Sequence, residues 1–166
     1  NNHKIGSCVY SDITVFSFHP VKIITSGEGG IAVTNDVNIA EHMKRLRSHG
    51  VTNDDLFMSQ QPSDEIWNYQ QIELGFNYRM TDIQAALGLS QIRRLDNFVD
   101  DRHCIAKKYD TKLSSMPIIL PQQMKETRSS YHLYPIRINE GMCGKSQEFI
   151  YNRLLQNGIA ANLHYI

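Results

Sequence analysis

The sequence predicts an α/β fold in two parts that meet near residue 116. Two short runs of β-branched and aromatic residues, 13–16 and 31–34, flank a glycine-rich turn and are typical of strands. Apolar residues at helical spacing dominate up to Pro117, which cannot continue a helix. Strand, helix and strand patterns then follow. We therefore expect a domain over residues 1–116 and a small α+β lobe over 117–166.

The composition is that of a globular protein, with 41% hydrophobic and 20% charged residues in 166. Lys plus Arg and Asp plus Glu both count 17, so the zero net charge does not predict binding to nucleic acid or to a membrane surface. Cys8, Cys104 and Cys143 are an odd number without CxxC spacing. This pattern argues against a disulfide framework or a zinc site and favours reduced thiols in the cytoplasm.

Helices are predicted in the centre of the chain. Asn35 or Asp36 can cap a helix that ends at Gly50, and Thr81 or Asp82 can cap another that continues toward residue 95. Between these two helices, residues 51–71 lack apolar periodicity and indicate a long polar loop.

A third helix is predicted to end at Ser114 or Ser115. After it, alternating apolar residues predict strands over residues 118–120, 131–138 and 159–165, and helical spacing predicts a last helix over 145–156. These elements form the predicted small lobe.

Lys22 stands at the end of the first predicted strand. A lysine in this position is usually a surface residue whose stem packs on apolar groups while its amine stays in water. Its neighbours favour a second interpretation: Pro20 fixes the backbone, Ser17 offers a hydroxyl, and the glycines within 27–30 allow an anion or a ring to come close. A desolvated amine in such a place suits a lysine that forms a Schiff base.

Three sequence blocks carry a more specific signal. They are residues 16–22 followed by the glycine-rich stretch 27–30, then residues 73–88, and finally residues 131–135. In this order they resemble the DegT/DnrJ/EryC1/StrS family of sugar aminotransferases, which use pyridoxal phosphate (PLP). The resemblance implies a fragment of a type I PLP-dependent transferase, made of part of the large αβα domain and a small α+β lobe. It also implies that the acid facing the pyridine nitrogen and the ring-stacking residue lie outside this chain.

The resemblance implies roles for three cofactor-binding residues. Lys22 would be the lysine that forms the Schiff base with PLP and later moves a proton. Ser17 would bind the cofactor phosphate, although a strand serine that bonds a neighbouring carbonyl is an alternative. Asn77 would cross a dimer interface to the cofactor phosphate of the other subunit.

Three further residues are candidates for binding the substrate. Arg79 can offer a bidentate fork to a nucleotide diphosphate, or it can pair with Asp82. His164 and Tyr165 resemble the pair by which the small lobe of the family approaches the sugar.

The implied function is amination of a nucleotide-linked 4-keto-6-deoxy sugar, with glutamate as the amino donor, by a cytoplasmic homodimer with shared active sites. Within the family, the resemblance points to the branch that aminates a UDP-linked sugar on the route to pseudaminic acid, a polysaccharide precursor. The alternatives are a PLP-binding sugar dehydratase and a non-catalytic protein that regulates or oligomerises. Because Lys22 is present, dehydratases with histidine at this position are disfavoured. The 166 residues alone are expected to be inactive.

Overall fold

The computed structural model describes residues 3–58 and 66–164 and divides the chain into two compact units, Asn1–Arg93 and Arg94–Ile166. The predicted boundary near residue 116 refers to the domains that the family resemblance implies, and it stays a prediction.

The first unit opens with a two-stranded antiparallel hairpin. Strand β1 (Thr14–Ser17) pairs with β2 (Gly30–Val33), and Ser17 lies opposite Gly30. The two predicted strands are therefore confirmed, and the chain between them forms the turn that carries Lys22.

Helix α1 (Val37–Arg47) follows the hairpin. The Asp36 carboxylate accepts hydrogen bonds from the backbone N–H groups of Asn38 and Ile39 at 2.7 and 3.1 Å, so the predicted N-cap is confirmed. Basic residues occupy the last turn, where they face the negative end of the helix dipole.

The segment after α1 is not the continuous polar loop that the sequence predicted. Strand β3 (Val51–Thr52) pairs antiparallel with β4 (Gln70–Gln71) at the two ends of this segment. A ladder of two residues is too short to produce a periodic pattern in the sequence, which explains the error.

Helix α2 (Asp82–Ile92) ends the first unit and begins with a capping box. The Thr81 hydroxyl accepts the N–H of Gln84 at 3.3 Å, and the Gln84 side chain accepts the N–H of Thr81 at 2.9 Å. This start also agrees with the prediction.

The second unit is built on the long helix α3 (Leu95–Leu113). Strand β5 (Ile118–Ile119) pairs antiparallel with β6 (Arg137–Ile138). The short helix α4 (Glu140–Cys143) precedes α5 (Gln147–Gln156), which is capped by the Ser146 hydroxyl.

Two strand predictions in this unit are wrong. The predicted strand 131–138 is reduced to its last two residues. Tyr131, at its start, has a left-handed φ of 47°, and Pro135 has no backbone N–H to donate to a ladder. Residues 159–164 form no strand and find no pairing partner within the described part of the chain. Residue 165, the last of that prediction, lies outside the described residues.

Little of the described chain is fully buried. Ala106 is its one buried hydrophobic residue, at 3% exposure, and Ser26 its one buried polar residue. Large apolar side chains remain open, with Ile83 exposed to 83% and Leu74 to 81%. No helix among residues 3–58 and 66–164 is long and apolar enough to cross a membrane.

Candidate active site

Lys22 lies in the turn that follows β1. Its N–H donates to the His19 carbonyl at 2.9 Å, and the His19 Nδ1 accepts the N–H of Val21 at 3.3 Å. The side chain of Lys22 is half-buried, and no described residue forms a hydrogen bond or ion pair with its amine. Within the described chain, the amine is therefore available to a ligand.

Ser17 is exposed at the end of β1, five residues before Lys22. Its hydroxyl oxygen accepts the N–H of His19 at 3.3 Å. The alternative predicted for it, a bond donated to a neighbouring carbonyl, is not found among the described residues. The hydroxyl hydrogen can thus be donated to an anion.

The glycine-rich turn is closed by backbone hydrogen bonds around Phe18. Phe18 donates its N–H to the Gly29 carbonyl at 2.8 Å and accepts the Ser26 N–H at 3.1 Å. A Cβ atom on Gly30 would come within 2.8 Å of the Phe16 carbonyl oxygen, so a side chain there would force the two strands apart.

The same turn meets the second sequence block. A Cβ atom on Gly29 would come within 2.6 Å of Met80 Cε, and one on Gly88 would lie 3.5 Å from Ser26 Cβ. Helix α2 and the residue before its cap therefore pack on the turn. The structure brings the first two motif blocks together.

The loop of Asn77 is fastened to the end of α1 by backbone hydrogen bonds. Phe76 and Tyr78 donate their N–H groups to the carbonyls of Leu46 and Arg47 at 2.7 and 3.0 Å, and Asn77 forms an isolated antiparallel bridge with Ser48. Carbonyls in the last turn of a helix lack partners within it, and this loop supplies them. The Asn77 side chain itself is exposed and has no hydrogen bond to the described residues.

Two glycines allow this close approach. A Cβ atom on Gly50 would overlap the Glu73 carbonyl, and one on Gly75 would overlap the backbone nitrogen of Gly50. The path of the Asn77 loop thus depends on both positions.

Glu73 adds a side-chain link at the start of the same loop. Its carboxylate accepts hydrogen bonds from Arg45 Nε at 2.7 Å and faces His42 Nε2 at 2.8 Å. The hydrogen bond from Arg45, followed by the smaller effect of His42, holds the pKa of the Glu73 carboxyl below its usual value.

Arg79 is exposed, and its Nη2 lies 3.3 Å from His49 Nε2. The predicted alternative, an ion pair with Asp82, does not form in the described part of the chain. Sequence reasoning missed His49. The one sequence signal next to His49 is Gly50, which predicts the end of a helix but no role for the side chain that precedes it.

The third sequence block packs within the second unit. Arg102 Nη1 on α3 donates to the carbonyl of Tyr131 at 3.0 Å, and the Tyr134 hydroxyl donates to Asp110 Oδ1 at 2.6 Å. Desolvation and then the Asp110 hydrogen bond raise the pKa of Tyr134 to about 12.

Of the predicted sugar-binding pair, His164 is exposed near the end of the second unit. Tyr165 lies outside the described residues. The roles of both residues stay predictions.

The residues around Lys22 fit a phosphate-bearing ring cofactor. They offer an amine without a hydrogen-bond or ion-pair partner in the described chain, an exposed hydroxyl at Ser17, and a glycine-rich turn so tightly packed that a Cβ on Gly29 or Gly30 would collide with Met80 or Phe16. A lysine, a hydroxyl and a glycine-rich turn are the types of group that hold PLP.

Comparison with known proteins gives a consistent result. The DegT/DnrJ/EryC1/StrS aminotransferase family matches residues 1–166. A Campylobacter jejuni protein named UDP-4-amino-4,6-dideoxy-N-acetyl-beta-L-altrosamine transaminase is 37% identical over 166 residues, which cover 99% of this chain and 40% of that protein. The Helicobacter pylori protein of the same name is 36% identical over 165 residues, again 99% and 40% of the two chains.

Solved structures agree with this match. The Helicobacter pylori aminotransferase PseC, involved in the biosynthesis of pseudoaminic acid, superposes with a TM-score of 0.77 at 35% identity, over 95% of this chain and 40% of that one. A Streptococcus pneumoniae protein named as a sugar aminotransferase, in its PLP form, superposes with a TM-score of 0.77 at 32% identity, and the match covers 96% of this chain and 39% of that one. The chain therefore spans about 40% of the length of these relatives. The predicted fold, part of a type I PLP-dependent transferase, is confirmed.

Proposed function

The chain belongs to the DegT/DnrJ/EryC1/StrS aminotransferase family, and on this basis we propose that the protein containing it aminates a nucleotide-linked 4-keto-6-deoxy sugar with PLP as cofactor. Glutamate is the proposed amino donor. A UDP-linked sugar is the favoured substrate because the Campylobacter and Helicobacter relatives are named for one. The protein is proposed to work as a cytoplasmic homodimer.

The observation that supports this proposal is the environment of the Lys22 amine. Lys22 is half-buried, its amine has no hydrogen-bond or ion-pair partner among the described residues, and it lies beside a turn that tolerates only glycine at two positions. A lysine that served only the fold would often be held in an ion pair, and Lys22 is in none within the described chain.

PLP, when bound, acts as an electron sink for the bonds at the amino-bearing carbon. Lys22 would attach the cofactor, and once displaced its amine would carry the proton to and from the sugar C4. This transfer requires the amine in its neutral form. Ser17 would donate its hydroxyl to the cofactor phosphate.

Asn77 is proposed to reach the cofactor phosphate of a second subunit. The amide can donate two hydrogen bonds, is exposed, and sits on a loop that the end of α1 holds by its backbone. Each active site of the homodimer would then be shared by two chains.

Arg79, His164 and Tyr165 are proposed to bind the substrate. The Arg79 guanidinium would form a bidentate contact with the diphosphate, since its planar fork matches phosphate oxygens. His164 and Tyr165 would approach the sugar from the small lobe.

The test is Lys22→Ala in the protein that contains this chain. We expect loss of turnover and of the visible absorbance of bound PLP, while the free energy of unfolding changes by less than about 1 kcal/mol. The matched control is Lys4→Ala, which removes an exposed lysine of the same unit and should leave both unchanged. Turnover retained in Lys22→Ala would refute the proposed role of this lysine.

A further inference from the structure

The end of helix α1 contains an unusual backbone geometry. His49 has a φ of 65°, and Gly50 follows with a φ of 68°, so two consecutive residues are left-handed. Glycine adopts this conformation freely, whereas other residues do so uncommonly, His, Asn and Asp more often than the rest. Non-glycine residues held in such conformations cluster at functional sites.

Two hydrogen bonds to the backbone of His49 hold this geometry. Its N–H donates to the Phe76 carbonyl at 2.9 Å, and its carbonyl accepts from Gln71 Nε2 at 2.9 Å. With its backbone fixed on both sides, its imidazole Nε2 stands 3.3 Å from Arg79 Nη2.

The direction of the His49–Arg79 hydrogen bond follows from chemistry. A guanidinium has donors but no acceptor, so Nε2 of His49 must be the acceptor. Accepting this bond requires the imidazole tautomer that carries its proton on Nδ1. Among the described residues, this is the one hydrogen bond that the Arg79 side chain makes, and the side chain forms no ion pair there.

We propose that His49 is a positioning residue that orients Arg79 toward the diphosphate of the nucleotide sugar. The proposal rests on the role given to Arg79 under the proposed function. A free arginine side chain loses much rotamer freedom when it binds a ligand, and holding it in place beforehand reduces that loss. The left-handed backbone of His49 is what aims the imidazole at Arg79.

The test uses two substitutions of His49 that distinguish the effect of its backbone conformation from the effect of its ring acceptor. Asparagine tolerates the left-handed backbone, but its shorter side chain does not reach Arg79. Glutamine is long enough to present an acceptor oxygen at a similar distance. His49→Asn should therefore release Arg79, and His49→Gln should keep it in place.

The probe is UDP, titrated by calorimetry into the PLP-loaded protein. We expect Arg79→Ala to weaken UDP binding by about 10-fold or more and His49→Asn by about 3- to 10-fold. His49→Gln should stay close to the unchanged protein. The double variant with His49→Asn and Arg79→Ala should bind no more weakly than Arg79→Ala alone.

A second readout does not depend on the ligand. Nitrogen-15 NMR of the His49 ring should show the proton on Nδ1, and Arg79→Ala should shift the Nε2 resonance. An unshifted ring would overturn the coupling of the two residues.

The two proposals can fail separately. Unchanged UDP affinity in Arg79→Ala would refute the ligand role of Arg79 and the positioning role with it. Weaker binding in Arg79→Ala but not in His49→Asn, or independent effects in the double variant, would overturn the positioning role alone.

Discussion

Glu73 accepts a hydrogen bond from Arg45 Nε at 2.7 Å, across 28 positions of sequence. Its second oxygen lies 2.8 Å from His42 Nε2, so one carboxylate joins two residues of α1 to the start of the Asn77 loop. Because these partners lower the pKa of Glu73, the ionised form is favoured in the folded state.

Glu73→Gln should lower stability in a pH-dependent way. A carboxyl whose pKa is lower in the folded state stabilises the protein above its unfolded pKa, and this contribution disappears as the pH falls through the folded pKa. The urea midpoint of Glu73→Gln should therefore lie below that of the unchanged protein at pH 7, and the gap should narrow toward pH 3. Glu126→Gln, at an exposed position, serves as the control. A gap that stays constant with pH would contradict the ionic role.

Gly75→Ala should displace or destabilise the Asn77 loop. The new Cβ would overlap the backbone nitrogen of Gly50, and backbone cannot move aside as a side chain can. We expect a loss of about 1–3 kcal/mol in the free energy of unfolding, as for overpacked sites.

Gly88→Ala is the matched control for that substitution. Gly88 lies inside helix α2, and its Cβ would sit at an ordinary 3.5 Å from Ser26 Cβ. Alanine is the better helix former, so this variant should be neutral or up to about 1 kcal/mol more stable. Urea unfolding of both variants measures the difference, and equal effects would show that the Gly50–Gly75 contact is not the cause.

The sequence predicts elements whose signals are local. Asp36 and Thr81 each cap a helix through atoms two or three residues away, so their chemistry can be read from the chain itself. Strand pairing depends on partners far along the chain. Residues 159–164 have a strand pattern but no partner strand in the described structure, whereas the pattern-free pair β3 and β4 finds one.

The same distinction applies to the site. Ser17 ends β1 and Lys22 lies in the turn that follows it, so the two are local in sequence and a motif predicts both as site residues. His49 reaches Arg79 across 30 positions and requires a left-handed backbone, and neither property is encoded in neighbouring residues. The contact of Met80 with the glycine turn is equally non-local.

Tyr134 should lose its proton at a higher pH than an ordinary tyrosine, since its pKa is raised from 10.0 to about 12. Desolvation is the main cause, and the Asp110 carboxylate adds to it. A group whose pKa is higher in the folded than in the unfolded state stabilises the fold at pH values below its unfolded-state pKa. This contribution to stability is lost as the pH rises through the folded-state pKa.

The titration can be followed by the ultraviolet absorbance of tyrosinate, as the difference between the unchanged protein and Tyr134→Phe. Asp110→Asn should lower the pKa of Tyr134, because it removes a negative charge 2.6 Å from the hydroxyl. Asp101→Asn, exposed on the same helix, should not. An early titration of Tyr134 in the unchanged protein would show that its hydroxyl is solvated.

Mixing two inactive variants tests whether Asn77 acts across a dimer. If Lys22 and Asn77 of one site come from different subunits, a dimer of Lys22→Ala with Asn77→Ala rebuilds one complete site. Random exchange then restores about a quarter of the normal activity, because half of the dimers are mixed and one of their two sites is intact. Absence of complementation despite proven subunit exchange would place Asn77 in the site of its own chain.

The 166 residues alone should neither bind PLP tightly nor catalyse transamination. Ala106 is the one buried hydrophobic residue of the described chain, whereas a chain of this length normally buries about two thirds of its surface. Leu74 and Ile83 flank the Asn77 loop and are more than 80% exposed, so the isolated chain should associate through this region and bind hydrophobic dyes. The strands beside Lys22 are likewise paired on one side only, which leaves open edges. Size-exclusion chromatography and titration with PLP measure both effects. A monomer that binds PLP stoichiometrically at micromolar concentration would mean that Lys22, Ser17 and the glycine turn suffice to hold the cofactor.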